Sequence, residues 1–591
     1  MCSVFKIHYH SPVLFKMYWW QFIVILNCSC LFVKAAVIPD SDDVEEQGLY
    51  SKSDHVTILT NKNFDNKIYG QRNAFVIQFY NSYCGHCRAF APKFKSLAAE
   101  LDPWKNMVKL AVLDCSIEEN NEICRQFEVM AYPSLRYLHE NYLKGNGNVG
   151  DKFHPTDTAE KLKTQLINKM QNEQTMGRLR FAPPLNIASY SKLTDALGKT
   201  PQDVIYTFLI FENENSTVGS EIALDMNDYE HIKVTRVYDT SELADSIKVT
   251  TFPGIVAVTG NMEPTILTPK QTKQDILKSI NTFLKSKNYK FPLRNIEHEE
   301  STISMHQNGA ISHDSNVVYY NDLEKTLKTS LHTEITRHKI LSNEPLQALI
   351  EYLNVLILAY PFRGNLKEYI VNLRDHLSSK TQWSGSEVYD LVIQLERAHA
   401  PVFSADLDYV RCKGSRAGYR GYSCGLWTLF HTLTVNAAQK PGKEGPRVLK
   451  AMHGYIKNFF GCTECAEHFQ AMALRNRIFD VKDNDKAVLW LWISHNEVNL
   501  RLAGDVTEDP EHPKIQFPSV TQCPECRQDR GAWNLPAVYD YLQKIYGAIN
   551  IQDARPTKSA AGSPSPLSNL DIGMLSFLLI HRLWRDSQLL I

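Results

Sequence analysis

The stretch Phe460-Gly-Cys462-Thr-Glu-Cys465-Ala-Glu-His468-Phe469 lies between two aromatic segments. Gly425-Leu-Trp427-Thr-Leu-Phe-His431 precedes it, and Leu489-Trp-Leu-Trp492-Ile-Ser-His495-Asn496-Glu-Val-Asn499 follows. Trp427 and His431 are four apart, so a helix sets both rings on one face. The same period lines up Trp492, His495, Asn496 and Asn499. The cysteine pair opens a helix, and His468 lies three positions past Cys465. Just upstream, Cys412 and Cys424 flank Arg420. Aromatic faces and amides in this pattern suit a planar redox ring beside a dithiol. A helical core with a structural disulfide and buried Trp and His is the other reading.

Outward from this stretch, the chain has 591 residues, too many for one core. Its formal net charge is −1, and no block of five or more basic residues occurs, which argues against nucleic acid as a partner. Of 13 cysteines, Cys2, Cys28 and Cys30 fall in an N-terminal segment. The rest form local pairs: Cys84/Cys87, Cys115/Cys124, Cys412/Cys424, Cys462/Cys465 and Cys523/Cys526. An even set at short spacing points to disulfides in an oxidising compartment. Zinc is the alternative, but the last two pairs lie far beyond the roughly 15–20-residue separation of a ribbon site. No metal is expected.

Residues 1–36 read as a signal peptide: an apolar run from Met17 to Val33, then Ala35-Ala36. An uncleaved anchor is the other reading. Residues 50–176 carry a continuous apolar strand, Ala74 to Tyr80, then Cys84-Gly-His86-Cys87, then a helix with Phe90, Phe94, Leu97 and Leu101 on one face and Pro92 expected to kink it. Strands follow at Val108 to Leu113 and Leu135 to His139, the last introduced by Pro133, the expected cis proline. This is the thioredoxin pattern. Residues 185–294 repeat it without cysteines, with Pro253 in the corresponding turn and a glycosylation sequon at Asn215. After a polar stretch, Asn295 to Ser312, residues 313–404 read as a helix-rich spacer, helical from Leu323 to Leu373. Residues 405–549 form the helical unit of the opening stretch. Residues 550–591 are a linker and an apolar tail, whose run from Ile572 to Leu583 falls short of the roughly 18 residues a spanning helix needs. Membrane anchoring by this tail is weakly supported. The fold class is α/β plus all-α: two thioredoxin-like domains, a helical spacer and a helical bundle.

The two redox segments, taken with Cys84-Gly-His86-Cys87, resemble the quiescin sulfhydryl oxidases, in which thioredoxin domains are fused to an Erv-type flavin domain. The resemblance runs from about Tyr50 to Ile549 and is loose between Gly177 and Ala400. It implies a helical-bundle FAD domain over 405–549. It also implies Arg420, Trp427, His431, Glu464, His468, Trp492, His495, Asn496, Asn499, Lys514 and Phe517 as FAD contacts. Glu464 stands where relatives usually have Asp, and Phe517 where they often have Trp. Cys465 is then the flavin-proximal thiol and Cys462 the interchange thiol, fed by Cys84 and Cys87. Electrons would pass from reduced or unfolded protein thiols to FAD and on to oxygen, giving hydrogen peroxide, in the secretory pathway or outside the cell.

Two positions depart from common thioredoxin usage: Gln78 where a buried acid is frequent, and Tyr83 where Trp precedes the first cysteine. Cys115/Cys124 and Cys412/Cys424 read as structural disulfides, and Cys523/Cys526 as a distal one outside the catalytic path. The alternative function is a disulfide isomerase or reductase with a non-catalytic helical domain. A peptide-binding protein without enzymatic activity is a further class.

Overall fold

A computed structural model describes residues 46–145, 147–198, 203–267, 272–292, 316–405, 407–416 and 418–553. The signal segment with Cys2, Cys28 and Cys30, the whole 295–312 stretch, and the tail from 554 onward lie outside the described residues.

In the first unit every residue of β2 (Ala74–Tyr80) is buried, which is why its sequence is apolar without alternation. It is central in a five-stranded sheet ordered β1 (Thr57–Leu59), β3 (Val108–Asp114), β2, β4 (Ser134–Leu138), β5 (Asp151–Phe153). β3 runs parallel to β2, and β4 antiparallel. Helix α1 (Gly85–Glu100) begins at the redox turn, continues through Pro92 and buries Phe90, Phe94 and Leu97. The Tyr132–Pro133 bond is cis, directly before β4. Helix α2 (Asn121–Gln126) follows β3, and α3 (Ala159–Thr175) closes the unit, capped by the Thr158 hydroxyl.

The second unit has a four-stranded sheet ordered β9 (Pro264–Leu267), β8 (Gly254–Thr259), β6 (Tyr206–Glu212), β7 (Ile232–Tyr238), with helices α4 (Val218–Asp225) and α5 (Lys273–Ser286). Phe252–Pro253 is cis, as in the first unit. Buried polar contacts join the two units. Trp104 Nε1 donates to Asp225 at 2.8 Å, and Lys163 lies 2.7 Å from Glu100 and 3.0 Å from Glu221.

The expected helix from Leu323 to Leu373 is divided. Helix α6 (Tyr320–Thr329) runs into a π-helical turn at Ser330–Glu334, and then come α7 (Asn343–Ala359) and α8 (Leu366–Leu377). The first break is a strand, Ile340–Ser342, that pairs with Gln382–Ser384. The second contains Pro361, which lacks an N–H, and Gly364 at φ 51°. Helix α9 (Gly385–Ala398) opens with a capping box between Ser384 and Glu387. These helices share one hydrophobic core with α10 (Gly421–Ala438), α11 (Glu444–Phe459), α12 (Thr463–Arg475), α13 (Asn484–Leu502) and α14 (Leu535–Tyr546). Tyr352 of α7 and Tyr455 of α11 meet with ring centroids 4.5 Å apart. The spacer is therefore structurally continuous with the bundle. Among the described residues, no helix is long and apolar enough to cross a membrane.

The thioredoxin unit is held to the spacer at His332, buried in the π turn. Its Nδ1 lies 2.6 Å from Glu118 Oε1, and its Nε2 lies 2.8 Å from Glu396 Oε2. Burial opposes charge on this imidazole, but the two carboxylates prevail and raise its pKa. Glu118 is disfavoured as an anion by burial, yet His332 and Lys328 bring its pKa down to about 2. The stability from a raised histidine is complete below its unfolded value near 6.5 and is lost as pH rises through the folded value. The stability from a depressed carboxylate is complete above 4.5 and is lost as pH falls toward 2. The Tm difference between the native chain and His332→Gln is therefore expected to be largest between about pH 4.5 and 6.5 and to shrink on both sides. A pH-independent difference would remove His332 from this role.

Candidate functional site

Cys84 is the N-cap of α1, where unpaired backbone N–H groups favour a thiolate. Its pKa is lowered by a hydrogen bond from Cys87, against burial, with help from the N–H groups of Cys87 and His86 and from Arg88. Its sulfur lies 3.7 Å from the Tyr132 carbonyl oxygen, beside the cis proline. Cys87 is fully buried, and burial followed by the neighbouring Cys84 pushes its pKa well up. The two are free thiols, an attacking thiolate and a neutral reserve. Beneath them Gln78 is buried, and its Oε1 accepts a hydrogen bond from the Tyr50 hydroxyl at 2.5 Å. The buried acid nearest in role is Asp114, whose charge acts on Cys87 and whose own pKa burial raises.

The second pair, Cys462–Cys465, is a disulfide at the start of α12. It faces the first pair across a domain interface. Cys462 is only 4% exposed and packs into the thioredoxin core cluster that contains Cys84 and Cys87. The Tyr132 N–H donates to the Gly461 carbonyl at 3.2 Å, and the Gly461 N–H donates to buried Glu334 at 2.8 Å. Glu334 is also 3.1 Å from Arg337, whose other nitrogen donates to the Phe459 carbonyl. A Cβ at position 461 would lie 2.1 Å from Arg337 Nη1 and 2.7 Å from the Tyr132 ring, so only glycine permits this approach. Arg88 bonds the carbonyls of Gly418 and Thr507, the latter at 2.8 Å. Tyr83 lies edge-on to Tyr409 and covers Gly421. His86 Nδ1 lies 2.5 Å from Glu464 Oε2.

The predicted cofactor residues separate into three groups. Trp427, His431 and His495 form a stack: Trp427 and His495 are 4.1 Å apart and 7° from parallel, and His431 lies 5.3 Å from His495. Tyr546, which sequence reading missed, extends it at 4.8 Å from His431. Burial, then Arg411, lowers the His431 pKa to about 3, and burial, then His431, takes that of His495 well down, so both rings are neutral at pH 7. Arg420, at φ 58°, donates to the Arg411 carbonyl beside Cys424. His431 Nδ1 and Arg420 Nε are buried without a hydrogen-bond partner.

Trp492, Asn496 and Asn499 do different work. Trp492 Nε1 and Asn496 Nδ2 both donate to the Phe517 carbonyl, at 2.6 and 2.8 Å, and Asn499 Nδ2 donates to that of Ile515 at 3.0 Å. Their polar groups thus brace the segment carrying exposed Lys514 and half-buried Phe517. Glu464 and His468 are exposed and lie at the interface beside His86. The other cysteines among the described residues form the disulfides Cys115–Cys124, Cys412–Cys424 and Cys523–Cys526. Cys523 and Cys526 are fully buried, which closes them to exchange with an outside thiol.

Family models match along the chain in the order of these units: thioredoxin at residues 55–168, a QSOX Trx-like domain at 180–268, a flavin adenine dinucleotide (FAD)-dependent sulfhydryl oxidase domain at 314–415, and the Erv1/Alr family at 424–518. Sulfhydryl oxidase 1 of Gallus gallus is 33% identical over 546 residues, covering 90% of this chain and 71% of that protein. Sulfhydryl oxidase 2 of Homo sapiens is 32% identical over 501 residues, covering 81% and 70%. A solved sulfhydryl oxidase fragment of human QSOX1 is 33% identical and covers 41% of this chain and all of the fragment, with a TM-score of 0.39. A reduced thiol pair set against a disulfide at the start of α12 accords with the family models and the curated relatives, and the chain belongs to the quiescin sulfhydryl oxidase family.

Proposed function

We propose that this FAD-dependent sulfhydryl oxidase oxidises protein thiols by a relay within one chain, from Cys84–Cys87 to Cys462–Cys465 and then to FAD. The observation that carries the reading is the face-to-face burial of a free dithiol and a disulfide across one interface. A reduced protein first meets the Cys84–Cys87 disulfide and leaves it as a dithiol. The Cys84 thiolate then attacks Cys462, Cys465 leaves, and Cys87 resolves the mixed disulfide. With Cys84 only 3% exposed in the docked arrangement, an outside thiol cannot reach it. Turnover therefore alternates between an open state that meets substrate and this closed one.

The residues present fit FAD. A neutral aromatic stack includes His431, whose buried Nδ1 lacks a partner, and Arg420, which caps the same helix, has a buried Nε that also lacks one. Trp427, His431, His495 and Arg420 would hold the cofactor, with Lys514 and Phe517 on the braced segment. When bound, FAD accepts an electron pair from a thiolate and passes it to molecular oxygen, the step a disulfide alone performs poorly. We place the chain in the secretory pathway or outside the cell, on its disulfides and its N-terminal apolar run, with Asn215 glycosylated on an exposed turn. Yellow flavin in the purified protein and oxygen uptake with peroxide formation on adding reduced protein would test the activity. Disulfide exchange without oxygen uptake would favour the isomerase reading. His431→Ala is expected to lower flavin content. It should also lower Tm, by about 2–4 °C for each kcal/mol of cofactor stabilisation lost. Full flavin content in this variant would contradict the pocket.

A further inference from the structure

His86 stands between the two cysteine pairs. The groups that chiefly lower the Cys84 pKa are Cys87, the backbone N–H groups of Cys87 and His86, and Arg88. The His86 ring crosses the interface. Its Nδ1 is 2.5 Å from Glu464 Oε2, and a ring nitrogen lies within 4.8 Å of both Cys462 Sγ and Cys465 Sγ. Its side chain is one-third exposed, so it exchanges protons with water.

Exchange is faster when the leaving sulfur is the weaker base, and a proton donor beside it has that effect. Cys84 thiolate attacks Cys462 Sγ, the Cys462–Cys465 bond breaks, and Cys465 leaves as a thiolate. Cys87 then loses its proton to water and attacks Cys84. The Cys84–Cys462 bond breaks, the Cys84–Cys87 disulfide forms, and Cys462 leaves carrying the electron pair. Two electrons have crossed, and Cys462 needs a proton. We propose that His86 acts across the interface as the general acid that protonates Cys462 as it leaves the mixed disulfide, and that Glu464 is the positioning residue that aims it. His86 recovers its proton from water, so the sum is unchanged. Burial lowers the His86 pKa, Glu464 opposes this, His468 and Arg501 lower it further, and Asp505 raises it. The Glu464 side chain reaches across the interface to the His86 ring.

The inference rests on the relay reading, and the test separates the two. The FAD-loaded full chain is mixed anaerobically with a reduced unfolded protein, quenched with an alkylating agent, and the Cys84–Cys462 peptide is followed by mass spectrometry. His86→Asn should accumulate this mixed disulfide and slow its decay by about a hundredfold, the scale of general acid catalysis. Glu464→Gln should slow decay by about tenfold. Native decay should fall as pH rises through the His86 pKa, and Glu464→Gln should move that fall to lower pH. If the variants instead form the mixed disulfide slowly and resolve it at the native rate, the pair only docks the domains and the proposal fails. An unchanged decay and pH profile also overturns it. If the native chain itself never forms a Cys84–Cys462 link, the relay reading fails with it.

Discussion

Replacing Cys465 by serine is expected to reduce oxygen consumption to the uncatalysed level while flavin stays bound. In the proposed relay, the sulfur of Cys465 is both the leaving group when Cys462 is attacked and the atom that carries the electron pair onward. A serine hydroxyl, with a far higher pKa, does neither. The aromatic stack of Trp427, His431 and His495 and the brace on residues 515–517 do not depend on that sulfur, so flavin absorbance should be retained. Oxygen-electrode traces beside a visible spectrum check both halves. Normal turnover in this variant would make Cys462–Cys465 a structural staple.

The second large effect is expected in the Cys84→Ser, Cys87→Ser double variant. Oxidation of a reduced unfolded protein should fall by about 10²–10⁴, because tethering presents the internal dithiol to Cys462 at an effective concentration of order millimolar. Oxidation of a small dithiol added at high concentration should fall much less, since in the open state it reaches Cys462 without help. Steady-state oxygen uptake with the two substrates reads the difference. Equal losses on both substrates would mean that the double substitution damaged the acceptor pair, and no loss on the protein would mean that no relay operates.

The α/β part was legible because its signals are local. Ala74 to Tyr80 is apolar on both faces, and the structure gives it those bounds as the central strand. Pro133 and Pro253, two of the four cis prolines among the described residues, stand where the sequence places the turn before a strand. Helix breaks in the spacer were less visible. The strand Ile340–Ser342 is three residues long and is defined by a partner forty positions away. At the site, helical spacing aligned Trp427 with His431 and His495 with Asn496, but periodicity does not say what each polar group bonds. Asn496 and Asn499 spend their amides on backbone carbonyls of residues 515–517. The contacts that join the redox centres, His86 to Glu464 and Arg88 to Thr507, link distant positions through charge and backbone oxygens, which leave no pattern along a sequence.

The relay itself is tested most directly by trapping it. A chain carrying Cys87→Ser and Cys465→Ser retains one thiol on each side of the interface, Cys84 and Cys462, with no partner to resolve a bond between them. Under mild oxidation the monomer should form a Cys84–Cys462 disulfide in high yield, found by mass spectrometry as one linked peptide pair that reductant separates. A monomer in which both thiols remain free, or in which Cys84 links only between molecules, would contradict the account.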